Sequence, residues 1–253
     1  MRIDINSDMG ESFGAYTIGH DAGLMKSITS ANIAAGFHAG DPSVLRATIR
    51  LAKAHGVAVG AHPGYPDLVG FGRRAMAVSP REAEDFVLYQ IAAVAGVAQA
   101  EGVRLQHVKA HGELFNMAAK DAGLAMAIAM AVAAYDKSLI FFATPRSELL
   151  RAGNIVGLRT VSEVFADRAY EPDGSLMSRR KPGAVIHDPE TVAARAVRMV
   201  KDRSVVAADG STVPLDADTI CVHGDTPGSD ELAARIRAGL EQAGILVKAI
   251  GAM

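Results

Sequence analysis

Four of the eight histidines stand where an apolar run ends and a small residue follows: AGFHAGD at 35–41, VGAHPGYPD at 59–67, VKAHGEL at 108–114 and CVHGD at 221–225. They are His38, His62, His111 and His223. The same run ends collect other chemistry-bearing side chains. Asn6 ends the first run and Asp8 and Glu11 follow it, Asp41 follows the second, Lys109 and Glu113 flank His111, Glu163 and Asp167 follow the sixth, and Asp225 follows the seventh. Histidines and carboxylates are the groups for general acid–base work and for holding metal ions. A lysine at the end of a buried run, as Lys109 is expected to be, needs a carboxylate or an anionic substrate beside it. Taken singly, each residue has a plain structural explanation. A lone histidine is more often a satisfied structural residue. Asp41 before Pro42 is a good helix cap, and Glu163 and Asp167 fit an exposed first helical turn. Their coincidence across five or six run ends favours one shared polar site.

Arginine pairs add a second theme. PDLVGFGRR (66–74) and SRRKPGAVI (178–186) are glycine-containing loops carrying Arg73, Arg74, Arg179 and Arg180. The guanidinium fork suits carboxylate or phosphate recognition, and a solvated basic loop is the competing account. Other chemistries lack support. There is no Walker A sequence, no H-E-x-x-H, no G-x-S-x-G and no C-x-x-C. GFGRRA (70–75) matches a dinucleotide fingerprint only formally, because it follows a Pro-Asp loop rather than a strand. Cys221, inside an apolar run, reads as a core residue.

The elements that must position these residues are legible from periodicity. The apolar, β-branched runs are RIDIN (2–6), SANIAAG (30–36), VAVGA (57–61), LQHVKA (105–110), SLIFFA (138–143), VGLRTV (156–161), DTICV (218–222) and ILVKAI (245–250). Helical segments separate most of them, and alternation of this kind implies a buried parallel sheet. Ser79-Pro80-Arg81-Glu82 is a capping box. Asp41-Pro42, Thr144-Pro145 and Asp188-Pro189 are further helix starts, and Gly56-Val57, Gly102-Val103 and Gly244-Ile245 are stops. VVAADGSTVPL (205–215) reads as a hairpin about Asp209-Gly210. Residues 169–189 read as a long polar loop, and such loops are usually functional or disordered. Seven or eight strands in this order predict a single (β/α) barrel over 1–253. In such barrels the strands' carboxyl ends form one mouth, where the four histidines would converge.

Composition narrows the function. With 49% hydrophobic residues the chain can bury a large core, and a net charge of −2 gives no footing for nucleic acid or a polybasic membrane patch. MRIDINSDMGES has no signal-peptide pattern, and AGLAMAIAMAVAAY (122–135) is short for a membrane span and reads as a buried helix. One cysteine excludes an intrachain disulfide, so a cytoplasmic setting is the expectation.

Seven segments, DINSDMGESFG (4–14), ANIAAGFHAGDP (31–42), GAHPGYPDLVGFGRR (60–74), VKAHGELFN (108–116), EVFADRAY (163–170), SRRKPGAVI (178–186) and CVHGDTP (221–227), together resemble the LamB/YcsF family, in order and over almost the whole chain. The resemblance implies a seven-stranded (β/α) barrel of the glycoside hydrolase/deacetylase kind. It also implies the A subunit of a prokaryotic ATP-dependent 5-oxoprolinase, which opens the lactam of 5-oxo-L-proline to L-glutamate with separate B and C subunits. ATP and Mg²⁺ would serve the complex. On this account Asp8, Glu11, His38, His62, Lys109, His111 and His223 surround the lactam; one carboxylate or histidine activates water and Lys109 stabilises the oxyanion. Asn6, Arg73, Arg74, Glu163, Arg179, Arg180 and Asp225 hold the substrate or a phosphate. A divalent metal in this chain is an open alternative, with Asp8, His38, His62 and His111 as candidates. The usual deacetylase Asp-Asp and H-x-x-x-H spacings are absent. A stand-alone metal-dependent amidase or deacetylase, and a substrate-binding scaffold, are the competing functions; self-association is left open.

Overall fold

A computed structural model describes residues 1–179, 181–224 and 228–251. Its strands are β1 (Arg2–Met9), β2 (Ser30–Ala34), β3 (Ala58–His62), β4 (Leu105–Val108), β5 (Ile140–Ala143), β6 (Arg159–Phe165), β7 (Ser204–Val206), β8 (Thr212–Pro214), β9 (Thr219–Val222) and β10 (Leu246–Val247). Seven of them, β1 to β6 and β9, pair in parallel and close on themselves. Closure is the β1–β9 ladder, from Asp4 opposite Thr219 to Ser7 opposite Val222. The helices are α1 (Asp21–Leu24), α2 (Pro42–His55), α3 (Pro80–Ala100), α4 (Gly112–Ala118), α5 (Ala122–Tyr135), α6 (Glu148–Ile155), α7 (Pro189–Lys201) and α8 (Ser229–Gln242).

The final apolar run is not an eighth barrel stave. Only Leu246 and Val247 pair, opposite Arg2 and Ile3. β1 is long enough to offer its first residues to β10 below the level at which β9 takes over. The hairpin is present as the antiparallel β7–β8 pair, apart from the barrel.

The caps explain where most helices begin. The Ser79 hydroxyl accepts from the Glu82 N–H while the Glu82 carboxylate accepts from the Ser79 N–H, so α3 starts with the expected box. Asp41 and Asp188 cap α2 and α7. Thr144-Pro145 does not start a helix. Arg146 takes a left-handed turn at φ +62°, and Ser147 caps α6 through the Leu150 N–H. At the stops, Val57, Val103 and Ile245 donate to Ala52, Ala98 and Leu240, the 6→1 bond that closes a helix on a glycine. α5 packs against α3 and α6 as a buried helix. Among the described residues no single helix is long and apolar enough to cross a membrane.

The strands are not uniformly apolar. In β1, Ile3, Ile5 and Met9 join the large core between sheet and helices, while Asp4, Asn6 and Asp8 alternate with them and are also buried. Period two sends that second set inside the barrel. β2 does the same with Ser30 and Asn32, and β9 with Thr219 and Cys221. The interior is therefore a column of polar side chains. It is lined on one side by a separate apolar cluster of Ile140, Phe142, Val161 and Ile250.

Candidate active site

The polar column is layered, and each layer supports the next. At the bottom, Asp4 accepts from the Thr29 and Ser30 hydroxyls at 2.6 and 2.7 Å and from the Thr219 hydroxyl. Burial pushes the Asp4 carboxyl up, although these hydroxyls oppose the shift. One layer higher, Asn6 donates to Thr219 at 2.7 Å and accepts from Asn32 at 2.8 Å, and the His107 Nε2 meets the Asn32 Oδ1 at 2.9 Å. His107 stacks on Phe142 at 4.4 Å between centroids, and burial depresses it to about 3. The ring fits because residue 60 is glycine: a Cβ there would lie 2.1 Å from the His107 Nε2.

At the strand ends stands Lys109, whose side chain is 4% exposed. Its Nζ is 2.9 Å from the Asp8 Oδ1 and 2.8 Å from the Glu163 Oε1. Burial works against the ammonium, but Asp8 and Glu163 outweigh it and hold the group well above the usual lysine range. Asp8 is the counterpart. Burial opposes its charge, while His62 and Lys109 together hold the carboxyl well below the usual range. The Asn32 Nδ2 donates to the same Oδ1 at 2.9 Å. Cys221 sits 3.0 Å from the Lys109 Nζ, and burial pushes its thiol well up, so it is a neutral member of the wall.

Beside this pair is a histidine cluster. His62 places its Nε2 3.3 Å from the Asp8 Oδ1 and 3.0 Å from the His111 Nδ1. His38 lies flat on His111, with centroids 3.6 Å apart and planes 6° apart. Its Nε2 is 3.5 Å from the Glu11 Oε1, which is also 3.7 Å from the His111 Nδ1. Burial, reinforced by the neighbouring rings, holds His38 and His111 well below the usual imidazole range. Glu11, His38, His62 and His111 each offer a donor atom within 4.8 Å of the others, a set that fits a divalent cation. The loop 66–74 completes the wall. His111 donates through Nε2 to the Phe71 carbonyl at 2.9 Å, and Gly72 turns at φ +61°, where a Cβ would lie 2.8 Å from both the His38 Cβ and the His111 Cδ2.

On the facing wall the His223 Nδ1 is 3.4 Å from the Asp167 Oδ2, and the Arg179 Nη2 donates to the His223 Nε2 at 2.7 Å. Asp167 is buried; burial raises it, yet the His223 contact and charge outweigh that and keep it low. Asp8, Cys221 and His223 also present atoms within 4.8 Å of one another, so the two walls meet at Asp8. Arg168 and Arg195 hold the segment after β6, donating to the Met177 and Ala184 carbonyls and to those of Ala166 and Arg168.

The expected residues thus divide. Asp8, Glu11, His38, His62, Lys109, His111, Glu163 and His223 share one mouth, with Asn6 one layer below. Glu163 is not on an exposed helical turn. β6 starts later and runs further than the apolar run suggested, to Phe165, and buries Glu163 completely inside the barrel. Asp167 is likewise buried. Arg74 is occupied by Asp67 and holds its own loop. Arg73 reaches over the Phe71 ring at 5.0 Å. Asp41 is a cap that also accepts from the Gly14 N–H. Arg180 and Asp225 lie outside the described residues. Sequence reasoning missed Asn32, His107 and Thr219; period-two alternation in β2, β4 and β9 was the available signal. Cys221 is buried in the core as expected.

Comparison with known proteins places the chain in a family. The family model described as "LamB/YcsF family" matches residues 3–253. A protein of Thermococcus onnurineus named as the A subunit of 5-oxoprolinase is 55% identical, with 99% of this chain and 98% of the relative covered. One from Bordetella pertussis with the same name is 53% identical, with 98% of each covered. The crystal structure of a lactam utilization protein from Thermus thermophilus superposes with a TM-score of 0.95 at 49% identity, covering 98% of this chain and 100% of that one.

Proposed function

This chain belongs to the LamB/YcsF family, and we propose that it is the A subunit of an ATP-dependent 5-oxoprolinase that works with B and C subunits. The reading is carried by relatives of that name at 53 to 56% identity over nearly the full length of both chains. The reaction adds the elements of water across the lactam C–N bond. Oxygen goes to the carbonyl carbon, a proton goes to the ring nitrogen, and 5-oxo-L-proline becomes L-glutamate while ATP is hydrolysed to ADP and phosphate. A five-membered lactam resists hydrolysis, which gives the coupling its purpose; ATP and Mg²⁺ serve the assembled complex.

The residues at the mouth supply the rest. The Lys109 ammonium, fixed between Asp8 and Glu163, stabilises the negative charge that develops on the lactam oxygen. Asp8 stays ionised beside it, 3.3 Å from the His62 Nε2, and is the base that accepts a proton from attacking water. His223, oriented by Asp167, faces them across the mouth. As the anion arrives, Arg179 leaves the His223 Nε2 for the substrate carboxylate, which frees that nitrogen. The freed ring takes up the proton that Asp8 removes from water and passes it to the departing nitrogen. Arg73, over the Phe71 ring at the rim, is the second cation placed near an anionic substrate. The lone buried cysteine supports a reducing, cytoplasmic setting.

The test is glutamate release from 5-oxoproline with ATP and Mg²⁺, by this chain alone and with its B and C partners, for the unaltered chain and His223→Asn. Release only with all three proteins, lost in a variant that still folds and assembles, supports the reading. Release by this chain alone replaces it with an independent amidase. Unimpaired release by His223→Asn reduces the chain to a scaffold.

A further inference from the structure

We propose that Glu11, His38, His62 and His111 bind one first-row transition-metal ion of the zinc or cobalt class; the 5-oxoprolinase function supplies what the ion acts on, but not the grounds for its binding.

The ring tautomers come first. The His62 Nδ1 lies 2.8 Å from the Lys109 carbonyl and the His111 Nε2 2.9 Å from the Phe71 carbonyl. A carbonyl accepts only, so these nitrogens carry the protons. In the neutral rings the His62 Nε2 and the His111 Nδ1 are then lone pairs. They face each other at 3.0 Å, an arrangement that calls for a cation between or beside them. A second ring nitrogen tied to a backbone carbonyl is also the usual support for a metal-bound histidine.

His38 is the independent observation. It is 1% exposed, and among the described residues neither ring nitrogen makes a hydrogen bond. A buried polar group without a partner is costly. The fold nevertheless clamps the ring on His111 and against Gly64, where any Cβ would collide with it. Its Nε2 points to the Glu11 Oε1, which completes the set.

Three imidazoles and one carboxylate suit zinc, cobalt or nickel; magnesium takes oxygen ligands and keeps its waters. The Mg²⁺ that accompanies ATP therefore has its place elsewhere. Glu11 stands where Asp8 was expected among the ligands, because Asp8 is engaged by Lys109 and Asn32 through one oxygen. When bound, such an ion polarises a carbonyl oxygen or makes a bound water more acidic.

Chelator-stripped protein is titrated with Co²⁺, followed by visible absorption, and with Zn²⁺, followed by calorimetry. One equivalent is expected to bind. Glu11→Gln and His38→Gln should each weaken binding by about 100-fold or more, and His55→Ala should leave it unchanged. Should those variants fail to fold, nitrogen NMR of the unaltered chain decides the matter: Zn²⁺ must shift the ring nitrogens of His38, His62 and His111 and spare His107. Absence of stoichiometric binding, undiminished binding by Glu11→Gln, or shifts confined to His20, His55 and His187 overturns the proposal. Glutamate release is scored separately, so the metal site can fail while the 5-oxoprolinase function stands.

Discussion

Lys109→Met is the most informative single change, because it separates a charged triad from a row of ordinary hydrogen bonds. Lys109 is one cation between two carboxylates, with side-chain exposures of 4%, 11% and 0% for Lys109, Asp8 and Glu163. Removing the ammonium leaves both carboxylates buried with, among the described residues, no lysine or arginine ion pair in its place. Breaking a buried pair by deleting one partner costs about 3–5 kcal/mol. A domain's whole stability is about 5–15 kcal/mol, so the variant should be folded but visibly weakened. Glu163→Gln leaves the Asp8–Lys109 pair intact and should cost less, about 1–3 kcal/mol. The sign test is the double variant. Asp8→Asn removes one of the stranded charges while keeping an acceptor for Asn32, so on the Lys109→Met background it should restore about 1–3 kcal/mol. Urea unfolding followed by circular dichroism reads all four chains, with a constant slope m as the check that only stability has changed. A loss under about 1 kcal/mol for Lys109→Met, or a further loss on adding Asp8→Asn, would refute the charged triad. In the assembled enzyme, Lys109→Met should also lower kcat by about 10²- to 10³-fold.

The same geometry sets three other expectations. His107 is depressed from 6.5 to about 3 in the folded chain, so unfolding below pH 6.5 takes up a proton. Its contribution is complete above 6.5 and is lost by about 1.4 kcal/mol per pH unit down to about 3; urea midpoints between pH 4 and 7 should fall less steeply in His107→Gln, and equal slopes would contradict this burial. Gly72→Ala puts a methyl 2.8 Å from His38 and His111 at φ +61°, and should lower stability by about 1–3 kcal/mol and reduce activity; a silent change in melting temperature and turnover would mean the loop does not brace the rings. Arg179→Gln should raise KM for 5-oxoproline by roughly tenfold or more, the value of a charge-assisted bond, and unchanged kinetics would remove Arg179 from the substrate site.

Much of the fold was legible because its signals are local. A capping box, Asp-Pro starts and Gly-Val stops each depend on a few consecutive residues, and most held where they were expected. Of the two departures, one has a local cause and the other a long-range one. Thr144-Pro145 looks like a helix start, but Arg146 turns left-handed and Ser147 takes the cap. ILVKAI has the composition of a barrel strand, but whether it is one depends on what else has claimed β1. Its neighbours there, β9 and β2, are set by closure, which no local pattern records.

The site was half legible for a related reason. Histidines at strand ends announce themselves because a polar residue interrupts an apolar run. Residues further down a strand do not, since Asn32 and His107 look like minor blemishes in apolar runs. The interior of this barrel inverts that expectation. In β1 and β2 the apolar members face the helices, and the polar members face across the axis, joining Asn6 to Thr219 and Asn32 to His107. Glu163 shows the consequence. Displacing β6 by three residues along the sequence converts it from a solvated carboxylate on a helical turn into the buried partner of Lys109. The charge state of the mouth is therefore fixed by strand register: were Glu163 turned outward, Lys109 would be balanced by Asp8 alone, and the histidines beside Asp8 would meet a less negative centre.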